Sequence, residues 1–132
     1  AIAKFPAYEE SQEKRLNFVR AMYSVFQDSS IIKLLPLDTP CTWGLLPLRF
    51  VSETKLLKFK EVLSSKIMTK RYYFPSIIDG YAGRGKVFTP TSLENSRFIS
   101  STTLCLPVYH DYSDNLIKWM SELYFRTLNQ IS

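Results

Sequence analysis

One histidine, two cysteines and four glycines are all that this 132-residue chain holds of three chemically useful residue types. Each scarcity removes a class of function. His110 has neither a second ligand nor a base partner near it in sequence, so it reads as an exposed loop histidine and not as a metal ligand or catalytic base. Cys41 and Cys105 stand alone, without metal-ligand spacing or a secreted-type framework, and read as reduced, buried thiols. No metal site is expected. No apolar run approaches the roughly 18 residues of a membrane-spanning helix. The opening AIAKFPAYEESQEKR lacks the apolar core of a signal peptide, and the absence of an initiating Met points to a chain that was cut or processed. Cytoplasm is the expected compartment. No internal repeat, low-complexity tract or long linker interrupts the chain.

What is present is the balance of one soluble globular domain. Hydrophobic residues make up 45% and charged residues 22%, and the length suffices for a core without disulfide or metal. A formal charge of +5 would suit phosphates, nucleic acid or an acidic partner. The charges are interleaved, however. Lys14, Arg15 and Arg20 sit beside Glu9, Glu10 and Glu13, and Lys55, Lys58 and Lys60 beside Glu53 and Glu61, the pattern of solvated helix faces.

Periodicity predicts a first helix over Glu9–Gln27, with Leu16, Val19, Tyr23 and Phe26 as its stripe. Phe18, Met22 and Val25 widen that stripe, and are expected to stay exposed until another domain or subunit covers them. Ile31–Leu37 is a weak strand or connector. Trp43–Phe50 is an apolar strand whose Pro47 predicts an edge position or a bulge. Ser52 caps a helix over Glu53–Ser65, carrying Leu56, Phe59 and Leu63 at helical spacing. Ile67–Phe74, β-branched and aromatic and closed by Pro75, reads as a strand. Asp79–Lys86 holds three of the four glycines and reads as a loop. Thr91 and Glu94 have capping-box spacing and open a short helix to about Ser100; Thr103–Val108 follows as a core strand. Ser113 caps the last helix, striped by Ile117, Met120, Tyr124 and Leu128 and flanked by Leu116 and Leu123. The order predicts an α+β fold, a small, mostly antiparallel sheet with helices packed on one face.

Two stretches carry chemistry. IMTKRYYFPS at Ile67–Ser76 brings two cations and two phenols to the end of a strand, and LCLPVY follows at Leu104–Tyr109. On a strand Arg71 and Tyr73 share one face and Lys70 and Tyr72 the other. Arg71 offers a planar donor fork to a carboxylate or phosphate; the competing reading is a surface or interdomain cation beside core rings. GYAGRGK at Gly80–Lys86 fits neither the dinucleotide fingerprint nor the P-loop, which leaves a flexible loop. RYYF beside cations also admits a stand-alone module for single-stranded nucleic acid or a protein partner, but the glycines of the RNA-recognition pattern are absent.

The order and spacing of these segments over Phe5–Asn129 resemble the C-terminal small domain of fold-type I, pyridoxal-phosphate-dependent nucleotide-sugar aminotransferases of the DegT/DnrJ/EryC1/StrS family. WGLLPLRFVSETKLLKFKEVL is similar to that domain's first strand and helix, KRYYFPSI to its Arg–aromatic–Pro–Ser–Leu motif, and LCLPVYHDYSDNLIKWM to its closing strand and helix. Ile77 stands where many members place a histidine, and Pro75–Ser76–Ile77 matches the subgroup acting on dTDP-linked keto-sugars. The resemblance implies that residues 1–132 form the C-terminal domain of a sugar aminotransferase whose large domain lies elsewhere. That large domain would supply the Schiff-base lysine and hold pyridoxal phosphate. No catalytic or cofactor-binding residue is therefore assigned to this chain, and alone it is expected to be inactive. Arg71, Tyr73, Tyr81 and Arg84 are the candidate substrate-binding residues. Tyr73 would offer its hydroxyl to the sugar. The implied partners are the large domain, a homodimer mate and the nucleotide sugar.

Overall fold

Two serines decide where two of the helices begin. The Ser52 hydroxyl accepts the Lys55 amide and the Ser113 hydroxyl the Leu116 amide, each at 3.3 Å. Each cap satisfies an amide that a helix start leaves without a partner. The computed structural model describes residues 5–38, 41–72, 74 and 94–132. In chain order its elements are α1 (Phe5–Phe26), β1 (Ile32–Leu34), β2 (Leu45–Phe50), α2 (Glu53–Leu63), α3 (Glu94–Thr102), β3 (Thr103–Pro107) and α4 (Asp114–Ile131). The strands form one antiparallel sheet in the order β1-β2-β3. The α+β class and the antiparallel sheet agree with the reading from sequence. Among the described residues no helix is long and apolar enough to cross a membrane.

Strand alternation divides the sheet into two unlike faces. Ile32, Leu46, Leu48, Phe50, Leu104 and Leu106 enter a core completed by α1, α2 and α4. Lys33, Pro47, Arg49 and Thr103 occupy the other face, in register across the strands. Phe59 of α2 is the junction of the core. Its ring lies 6.2 Å from Phe26 of α1, 5.3 Å from Phe50 of β2 and 6.4 Å from Tyr124 of α4. Trp43, just before β2, takes a positive φ of 42°. Such a backbone costs a bulky L-residue about 1–2 kcal/mol, which burial of the indole offsets, the residue being buried.

Several expectations need correction. Pro47 lies in the central strand, not at an edge or a bulge. The reason is in the ladder. The Cys105 amide donates to the Lys70 carbonyl at 2.7 Å and its carbonyl accepts from the Lys70 amide at 3.1 Å, so the Pro47–Cys105 pair exchanges no bond across β2 and β3. The nitrogen of Pro47 therefore faces the β1 side, where pairing has already ended at Leu34–Leu48. Among the described residues of the stretch 67–74 no strand forms, and Lys70 alone makes a bridge, to Cys105. β1 is confined to Ile32–Leu34.

Phe18 and Met22 are buried in the domain's own core, so the predicted exposed stripe on α1 does not exist. Tyr109 and Tyr112 cover Phe18, with ring centroids 5.6 and 5.4 Å away, and the Tyr112 hydroxyl donates to the Lys14 carbonyl at 3.2 Å. Cys41 is exposed, whereas Cys105 is buried as expected, and burial pushes its thiol pKa up.

Tyr124 carries a hydroxyl that is buried without a hydrogen-bond partner among the described residues. Burial raises its pKa well above the ordinary 10.0, with a smaller contribution from Tyr109. An acid whose pKa rises on folding keeps its proton in the native state and loses it in the unfolded one, so its contribution falls away above about pH 10. Tyr124→Phe removes the unmatched hydroxyl and keeps the ring. It should stabilise the chain by about 1 kcal/mol, read as a rise in thermal midpoint. A lowered midpoint would show that the hydroxyl is bonded.

Candidate functional site

Arg71 is the one sequence-predicted site residue that lies among the described residues; Tyr73, Tyr81 and Arg84 fall outside them. Its position follows from local chain path. Lys66 and Ile67 bond back to the Leu63 carbonyl at 2.8 and 2.9 Å, Lys70 is fixed to β3, and the next residue is thereby delivered between α2 and α3. Arg71 Nη2 donates to Glu53 Oε1 at 2.7 Å and to the Ser101 carbonyl at 2.8 Å. The guanidinium carbon sits 3.5 Å from the centroid of the Phe74 ring. Its side chain is 11% exposed, against 41% for that of Glu53, and Nε is buried without a partner among the described residues.

This arrangement is first a clamp. Glu53 stands in the first turn of α2, where a carboxylate is favoured by the helix dipole, and Ser101 is in the last turn of α3. Arg71 ties those two helix ends together and spends one of its nitrogens on both. Lys70 lies on a different side, its Nζ 5.7 Å from the centroid of Tyr72, a ring that is partly exposed. Alternation on a strand would put Lys70 and Tyr72 on one face, but no strand forms there, and their contact is one between near neighbours around a single bridge. The Glu53 and Ser101 contacts were not legible in the sequence, because both lie far away in it.

The displaced ionisations point to packing, not proton transfer. Glu10 is held below the usual carboxylate range by its hydrogen bond and charge interaction with Lys14, 2.7 Å away, and Lys14 is raised in return. Both are solvated on α1. Tyr124 and Cys105 are raised by burial. Among the described residues no cluster of three or more His, Cys, Asp or Glu could hold a metal ion. His110 is exposed.

Lysines test the fit of pyridoxal phosphate, which needs an amine in a desolvated setting. Among the described residues no lysine is buried. Lys55, partly exposed, donates to the carbonyls of Ile131 and Ser132. The described residues do not make a cradle for the cofactor.

No family model matches the chain, and no curated protein matches it. Solved structures do. PseC of Helicobacter pylori, an aminotransferase of pseudoaminic acid biosynthesis, superposes with a TM-score of 0.72 at 16% identity, over 90% of this chain and 33% of its own. A DegT/DnrJ/EryC1/StrS aminotransferase of Brucella abortus gives 0.67 at 19% identity, over 86% of this chain and 30% of its own. The GDP-4-keto-6-deoxy-D-mannose-3-dehydratase of E. coli, solved with hydrated PLP, gives 0.72 at 11% identity, over 93% and 32%. The chain spans about a third of the length of the solved chains it matches. The resemblance to the DegT/DnrJ/EryC1/StrS aminotransferases read from the sequence is thus one of architecture: the chain has the fold of about one third of such an enzyme.

Proposed function

We propose that these 132 residues are the C-terminal small domain of a pyridoxal-phosphate-dependent aminotransferase. The large domain would hold the cofactor, and the whole enzyme would transfer an amino group, from glutamate, to a keto group of a dTDP-linked deoxysugar in the cytoplasm. The observation that carries this reading is coverage. Nearly all of this chain superposes on sugar aminotransferases while only about a third of theirs is used. A dehydratase shares the fold, so the choice of transamination and of a dTDP-linked sugar rests on the KRYYFPSI segment. Chemistry supplied by the cofactor when bound is withdrawal of electrons from the amino-bearing carbon. In this reading the present chain packs beside the site, and Arg71, Tyr73, Tyr81 and Arg84 bear on the substrate.

Two measurements test it. The 132-residue chain mixed with pyridoxal phosphate and borohydride should show no adduct fixed at a specific lysine. The parent reading frame, expressed whole with cofactor, glutamate and a panel of dTDP-linked keto-deoxysugars, should yield an amino sugar and 2-oxoglutarate. A deoxygenated keto sugar carrying no new amino group would assign it to the dehydratase chemistry instead. A frame encoding no lysine-bearing large domain would overturn the reading.

A further inference from the structure

The sheet face that turns away from the core carries two cations set against each other. Lys33 of β1 and Arg49 of β2 are direct cross-strand partners, and both are exposed. Among the described residues neither side chain has a hydrogen-bonded or ion-paired partner. Like charges directly opposite on a sheet are destabilising unless something neutralises them. The surroundings are not those of a solvated charged surface. Leu35, Pro47, Ile99 and Thr103 line a groove of about 350 Å³ with the two cations, and Leu35 and Ile99 are 45% and 49% exposed.

α3, which forms one wall, is built inside out. It buries Ser100 and Thr102 and displays Phe98 and Ile99. The inward hydroxyls are satisfied by the helix itself, Ser100 on the Arg97 carbonyl at 3.0 Å and Thr102 on the Phe98 carbonyl at 2.6 Å. Apolar side chains pointing outward beside an unneutralised pair of cations describe a surface shaped for something amphipathic and acidic.

We propose that this open face receives a polypeptide segment that sets an Asp or Glu carboxylate between Lys33 and Arg49 and lays apolar side chains on Leu35, Pro47 and Ile99. The segment belongs to the remainder of the longer enzyme chain, a clause that rests on the function proposed above. Charge complementarity selects an acidic occupant. A second copy of this chain, also at +5, is disfavoured by repulsion. A small anion would meet the cations but leave Leu35, Pro47 and Ile99 uncovered.

The test is a reversal of sign. Lys33→Glu turns the like pair into an opposite pair, so in the 132-residue chain it should raise the thermal midpoint, on the order of 2–4 °C. In the whole enzyme the same substitution faces the incoming carboxylate with a like charge, and the midpoint should fall by a similar amount. Hydroxyl-radical footprinting gives a second readout independent of the variant. Leu35, Pro47 and Ile99 should be oxidised in the 132-residue chain and protected in the whole enzyme. A rise in both settings, or equal oxidation in both, overturns the docking while leaving the aminotransferase reading in place. A parent frame without a further domain overturns both.

Discussion

Phe59→Ala is expected to lower the stability of the chain by about 3–5 kcal/mol, enough to leave a domain of this size partly unfolded at ambient temperature. The residue is fully buried, and its ring meets rings from α1, β2 and α4 at once. Removing it forfeits the transfer energy of the ring and opens a space that three separate elements would have to close together. It also deletes three aromatic contacts worth about 0.5–1.5 kcal/mol each in favourable geometry. Phe59→Leu keeps much of the volume and should cost less than half as much. Urea unfolding of both variants measures this. Equal, small losses would mean that the core collapses around the site and that Phe59 is not its junction.

Arg71→Ala should cost about 2–3 kcal/mol. The magnitude is set by exposure. Glu53, at 41% exposed, can return to water when its partner leaves, which places the loss below that of a fully buried pair. The Ser101 carbonyl and the face of Phe74 lose their partner as well. Arg71→Lys keeps the charge without the planar fork and should recover part of the loss. A double-mutant cycle with Glu53→Gln should give a coupling of about 1 kcal/mol or more. The whole enzyme separates this clamp from a role at the substrate. If Arg71 also touches substrate, the alanine variant should lose a further 1–3 kcal/mol, in order of magnitude, in kcat/KM at temperatures where it is still folded. Unchanged kcat/KM there would leave Arg71 a positioning residue for α2 and α3 alone.

Helix ends were the most legible part of the chain. Ser52 and Ser113 cap as their spacing predicts; Leu56, Phe59 and Leu63 are buried as their stripe predicts, as are Met120, Tyr124 and Leu128, whereas Ile117 is only partly buried and Thr127 and Ile131 join the core unforeseen. Caps and stripes are local, involving residues three or four apart, so the sequence displays them directly. The α+β class follows from the same local signals in order. Of the candidate site only Arg71 can be compared with the structure.

What the sequence determined, then, is which segments are helical, where α2 and α4 start, and that a short antiparallel sheet lies among them; α1 begins at Phe5 and not at the expected Glu9, and the Thr91 start expected for α3 lies outside the described residues. Only the tertiary structure decided that Pro47 lies in the central strand, that the described residues of 67–74 give a single bridge in place of a strand, and that Phe18 and Met22 are buried, Phe18 beneath Tyr109 and Tyr112. It also decided that Lys33 faces Arg49 and that Arg71 reaches Glu53 and Ser101. Each of these depends on which strand edges meet and in what register. Register is chosen by the burial of whole faces against distant helices, and a β-branched, aromatic run carries no local mark of the partner it will find.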